Sequence, residues 1–138
     1  MYLTVVFHMH SDTHHTYPDP HPVQVLLEWD QYDPWAISAT FHTDRADAGV
    51  PWVLSRDLLT SGMFTPTGWG DVRVYPPVDG WLGIGLTSPS GRAEFTVAVG
   101  LIEAFLAEIE RRCPEGSEYA WLDVDAALVD LLESEAAA

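Results

Sequence analysis

Histidines are the first residues in this chain with chemistry to offer. His8 and His10 alternate within MYLTVVFHMH, so an extended backbone projects both to one side, and His14, His15 and His21 follow in SDTHHTYPDPHP. Neutral imidazoles are ligands for zinc, nickel or copper, and a site built from them would make this a metal-dependent enzyme. No cysteine or fixed carboxylate completes a familiar ligand pattern, however, and a proline-rich loop preorganises nothing. His8 and His10 stand as the nearest thing to metal candidates, with a solvated strand face and loop as the better account. No cofactor is expected.

Other reactive groups fare no better. There is no G-x-S-x-G elbow, and Cys113, beside Pro114 at a helix end, reads as a partly buried small hydrophobe. Thr67-Gly-Trp-Gly-Asp71 has glycines but not the Lys-Ser/Thr of a phosphate loop, so a tight hairpin turn explains it better. The carboxylates are too numerous for one pair to stand out as an acid and base. The expectation is a protein that is not an enzyme.

Charge narrows the partners. Acidic residues number 21 against 6 basic ones, all arginine, for a net charge of -15. Nucleic-acid affinity depends on neutralising phosphates, so neither DNA nor RNA is the expected ligand, and anionic membrane surfaces are disfavoured for the same reason. Hydrophobic residues make up 47% of the chain, which excludes a disordered acidic tail. A lone cysteine, no signal-peptide pattern and no apolar run near membrane-spanning length together read as cytoplasmic.

Six tryptophans and five tyrosines in an acidic chain of 138 residues suit a protein interface. Trp69 sits at a glycine-flanked loop tip with few routes to burial, so it is a candidate partner or subunit contact together with Met63, Phe64 and Trp121. The alternative for Trp69 is a lid folded over the sheet. Trp29 or Trp35, Trp52 and Trp81 are expected in the core.

These residues must be positioned by short strands. Leu3, Val5, Phe7 and Met9 alternate with Thr4, Val6, His8 and His10, the pattern of a strand with one buried face. Residues 11–22 read as an exposed loop. Strands over 23–29 and 35–42 flank a turn at 30–34, and 50–54 leads into a short helix capped by Ser55. Gly62, Pro66, Gly68 and Gly70 then force a reversal before a strand over 71–75, with Arg56-Asp57 expected to pair with Asp71-Arg73 across it. Pro76 to Gly80 reads as a turn, followed by strands over 81–87 and 92–97. Gly83 and Gly85 share one face and mark a groove, a close approach or strong curvature.

From Val99 the period changes to three and four, with Val99, Ile102, Phe105, Leu106 and Ile109 on one helix face and a stop at Pro114 and Gly116. A second helix is expected at about 125–133, presenting Leu128, Leu131 and Leu132, with a frayed tail at 136–138. Short links require antiparallel pairing. The class is α+β: one domain over 1–138, mainly antiparallel, with a barrel-like or two-layer β core of about seven strands and two C-terminal helices.

The pattern W-V-x-x-R-D-L-L … P-T-G-x-G-D-V-R-V, with YDPWAISATFH and SPSGRAEF, resembles the SsgA-like family of actinobacterial sporulation and cell-division regulators, over roughly Val23 to the C-terminal helix. Positions matching the family pattern are Trp52, Arg56, Asp57, Leu58, Leu59, Pro66, Thr67, Gly68, Gly70, Asp71, Arg73 and Gly116, taken chiefly as scaffold. The resemblance implies a whirly-like core, a homotrimer, and a septum-associated adaptor that helps localise the tubulin-like division protein FtsZ or acts with other SsgA-like proteins. The similarity to whirly proteins makes single-stranded nucleic-acid binding the first alternative, and a metal-dependent enzyme the second.

Overall fold

The computed structural model describes residues 1–42, 49–118 and 131–133. Strands β1 (Tyr2–Ser11), β2 (Thr16–Asp30), β3 (Asp33–His42) and β4 (Val50–Ser55) lead to helix α1 (Arg56–Gly62). Strands β5 (Val72–Val78), β6 (Trp81–Ser88) and β7 (Gly91–Ala98) then lead to helix α2 (Val99–Arg112). Among the described residues the strands form one antiparallel sheet, ordered β4-β3-β2-β1-β7-β6-β5, that curls into a half-barrel. The antiparallel α+β class is therefore as expected. Pairing of β1 with β7, Met9 opposite Phe95, joins the two halves of the chain.

One face of the sheet makes the core. Val5 and Phe7, Val25 and Leu27, Ile84 and Val97 are buried on it, and Phe41 packs against both Phe7 and Phe95 with ring centroids 5.4 and 5.2 Å apart. Helix α2 covers this face with Ile102, Phe105 and Ile109, as its sequence period requires. Each such side chain contributes about 1.5–3 kcal/mol by leaving water. The buried stripe of α2 leaves Glu103 and Glu110 on its open side.

Four local expectations change. The 11–22 segment is largely exposed but is mostly strand, because β2 starts at Thr16 and pairs back to β1 as far as Ser11. Its prolines mislead because they are tolerated where β3 no longer pairs, beyond Gln24. Likewise β5 runs through Pro76 and Pro77, which an edge strand allows, and the turn is confined to Asp79 and Gly80 at φ 52° and 85°. Trp81 is not core: Leu82 and Ile84 point inward, so strict alternation puts Trp81 outside, 43% exposed and edge-on to His8. Gly83 and Gly85, on a sheet that is indeed curved, make room for side chains rather than for another backbone, Gly83 under the Tyr75 ring and Gly85 under the Arg73 guanidinium and the Glu94 carboxylate.

The second helix expected at 125–133 lies outside the described residues except for 131–133, which are helical with Leu131 and Leu132 exposed.

Candidate partner-binding surface

The turn between α1 and β5 is built from both ends. Ser55 caps α1 by accepting the Leu58 amide at 2.9 Å, and Asp57 adds a negative charge to the first turn, where it meets the positive end of the helix. Helix α1 ends at Gly62, buried against Val74 of β5. The Phe64 and Thr65 amides then both donate to the Ser61 carbonyl, at 3.0 and 3.1 Å. Further on, Thr67 and Val74 exchange two backbone hydrogen bonds of 2.9 and 2.8 Å. Gly68, at φ 105°, closes the turn where a Cβ would lie 2.3 Å from the Val72 carbonyl oxygen.

This frame displays its large side chains instead of covering them. Phe64 is 84% exposed and Trp69 is fully exposed. The lid alternative for Trp69 is overturned by that exposure, since a lid would be covered by the sheet. Met63 is half-buried against the core. Trp121 lies outside the described residues.

Beneath the turn sits an ion network that differs from the expected one. Arg56 does not pair across the connection with Asp71, nor Asp57 with Arg73, because Arg56 faces α2 and Arg73 stands on the outer face of the sheet. The Arg56 Nη2 donates to Glu110 at 2.5 Å, and Nη1 lies 3.5 Å from Glu118. Both Arg56 and Glu118 are buried, while Glu110 is half open to solvent. The amides of Glu115 and Gly116 complete the network by donating to Glu110 and Glu118 at 3.1 and 2.8 Å. Gly116, at φ 91°, makes that last turn possible. Two residues of the sequence pattern, Arg56 and Gly116, thus converge on Glu118, a partner that sequence spacing did not reveal.

The network floors a groove of about 460 Å³ between α1 and α2, lined by Met63, Phe64, Pro77, Leu106 and Ala107 with Glu103, Glu110 and Glu115 at its margin. A second concavity of about 260 Å³ lies around Trp69, between Pro66, Arg73 and Tyr75. Of the remaining pattern residues, Leu59 is buried, Trp52 and Leu58 pack on the core, and the Asp71 carbonyl accepts the Thr87 amide at 2.8 Å. Gly70 is exposed with open space around it.

Histidines are used structurally. His10 hydrogen-bonds Thr96 at 2.6 Å, His8 meets Trp81, and His15 and His21 stack on either side of Tyr17. Among the described residues no three His, Cys, Asp or Glu side chains gather as a metal site. Cys113 is fully buried. The turn at 12–15 is held by Asp12, whose carboxyl is lowered to about 2, first by the Tyr17 hydroxyl and then by the amides of His14 and His15.

Arginine offers no basic track. Each of the five described arginines lies beside a glutamate, none farther than 3.8 Å: Arg56 as above, Arg73 and Arg92 on Glu94, Arg111 and Arg112 on Glu108. Glu108 is lowered to about 2, chiefly by Arg111. Among the described residues no helix is long and apolar enough to cross a membrane.

The curled antiparallel sheet closed by α2 matches the architecture of a class of bacterial division proteins. Residues 23–118 match the family described as Streptomyces sporulation and cell division protein SsgA, and the chain belongs to that family. It is 41% identical to the sporulation-specific cell division protein SsgB of Streptomyces coelicolor over 114 residues, covering 80% of this chain and 82% of that one. It is 42% identical to SsgB of Saccharopolyspora erythraea, covering 80% and 79%. A solved structure from work on SsgB mutations and longitudinal cell division in sporulating S. coelicolor superposes with a TM-score of 0.79 at 34% identity, covering 88% and 94%. An SsgA-like sporulation-specific cell division protein of Thermobifida fusca superposes at 0.78 and 33% identity, covering 94% and 93%. These relatives are named as division proteins, not as enzymes.

Proposed function

We propose that this chain is a non-enzymatic adaptor of sporulation-specific septation that helps localise FtsZ at septum sites, directly or with other SsgA-like proteins. The observation that carries the reading is the exposure of Phe64 and Trp69 on a turn tied by backbone hydrogen bonds at Ser61 and at Thr67. Apolar rings held open on a rigid frame lose little freedom on binding, and aromatic anchors dominate protein contacts. The acidic surround rejects polyanions and leaves protein as the partner. In this reading three copies assemble and repeat the turn, which raises avidity toward a filament.

The test is a fluorescent fusion in sporulating cells, paired with capture of purified FtsZ. The Phe64→Ala, Trp69→Ala double variant is expected to fold normally, lose the septal ladder and reduce capture about tenfold or more. Undiminished localisation and capture by the double variant would overturn the reading. Light scattering that returns a monomer mass would remove the trimer.

A further inference from the structure

We propose that the groove between α1 and α2 is the docking site for a basic amphipathic segment of a protein partner. This rests on the adaptor reading and names the chemistry of its partner. The segment sets one or two large apolar side chains against Phe64, Pro77 and Leu106, while its Lys or Arg side chains meet Glu103 and Glu115.

Shape and charge supply separate parts of the argument. The walls are apolar and the cavity of about 460 Å³ accepts a side chain or two, so it can anchor a segment. The margin is acidic, and at two of its three carboxylates, Glu103 and Glu115, the charge is not cancelled from within. Among the described residues Arg56 is the one cation lining the groove, and it is already engaged by Glu110 and Glu118. Among the described residues no cation pairs with Glu103 or Glu115, and both are exposed. An apolar cleft with unpaired carboxylates at its rim is complementary to an apolar stripe flanked by ammonium or guanidinium groups.

Charge also decides between occupants. The segment 119–138 of this chain carries Asp123, Asp125, Asp130, Glu133 and Glu135 and no basic residue, so it would bring like charge to the rim. In its described part, 131–133, Leu131 and Leu132 are exposed at 60% and 61%. A second copy carries the same net charge of -15, and its described arginines are paired within the subunit. A basic segment of a different protein meets none of these penalties.

The experiment uses the whole chain and three fluorescein-labelled peptides of about fifteen residues. One carries Leu and Lys in helical amphipathic order, one has the same order with Glu for Lys, and one is a scramble of the Leu/Lys composition. By fluorescence anisotropy the Leu/Lys peptide is expected to bind, with the scramble about tenfold weaker and the Leu/Glu peptide at least that. The Glu103→Lys, Glu115→Lys double variant and the Leu106→Ala variant should each weaken binding about tenfold. Asp19→Lys with Glu28→Lys, an equal change of net charge on β2, should alter it less than about twofold.

Amide shifts of the unmodified protein on adding the Leu/Lys peptide give a measurement that no unfolded variant can spoil, and they should concentrate at Phe64, Ala107 and Glu110. Equal binding of the scramble, equal weakening by the β2 control pair, or shifts centred elsewhere would each sink the proposal. If Glu103→Lys, Glu115→Lys keeps full septal localisation while Phe64→Ala, Trp69→Ala loses it, the groove falls and the adaptor stands. If neither variant loses it, the adaptor reading falls as well.

Discussion

Gly62→Ala tests how α1 is seated. A Cβ on Gly62 would lie 2.3 Å from Val74 Cγ1 and 2.5 Å from its Cβ, about an ångström inside ordinary contact, and Val74 is fully buried on β5. Gly62 does not have a positive φ, so alanine meets no backbone strain. Two effects then oppose each other. Alanine gains up to about 1 kcal/mol over glycine in a helix, and less at a last residue. Overpacking costs about 1–3 kcal/mol, at the upper end here because a β-branched side chain in a strand has little rotamer freedom to yield. Net destabilisation of about 2 kcal/mol is expected, read as a lower urea midpoint at unchanged slope in tryptophan fluorescence. Val74→Ala removes the closer contact and lets residue 74 withdraw, so adding Gly62→Ala to it should cost about 1 kcal/mol less than in the parent. A raised or unmoved midpoint for Gly62→Ala, or strict additivity with Val74→Ala, would refute the packing argument.

Other consequences follow from geometry on the page. Arg56→Ala leaves Glu118 buried without its cation and should cost about 3 kcal/mol, of which Glu118→Gln in the same chain recovers at least about 1, by urea titration. Gly68→Ala combines a positive φ with a Cβ 2.3 Å from a carbonyl oxygen, so it should cost about 2 kcal/mol or more in thermal melts. The Asp12 carboxyl should titrate near 2 in a carbon-detected NMR experiment; its folded value is depressed, so its stabilising effect is complete above the ordinary 3.8 and fades as pH falls through 2. A midpoint at 3.8 would remove the clasp with Tyr17. The Cys113 thiol should resist a disulfide reagent in the native protein and react at once in urea, and fast native labelling would contradict its burial.

Much of the fold was legible because period and punctuation agreed. Alternation in β1, the change to helical spacing at Val99 and the Ser55 cap were local signals, and each marks a real element. Two of the misses share one cause, since proline is a loop signal in sequence yet lies here on strand rims, in β2 and β5. Trp81 was assigned by membership of a strand, not by parity within it. The ion network was beyond local reading: nothing near Arg56 announces Glu110 or Glu118, which α2 and the turn after it bring from the far end of the domain. The aromatic turn was found from glycine density, whereas the groove beside it needed two helices to be placed.

The extension of β2 past the reach of β3 has a quieter consequence. Thr16 to Pro22 forms a rim of the kind that an incoming chain copies, yet Pro18, Pro20 and Pro22 deprive it of three amide donors. A foreign backbone arriving there finds few hydrogens to accept, so fibre-like stacking of the free hairpin gains no foothold. The same prolines that disguise the strand keep neighbouring copies from zipping together by the wrong side.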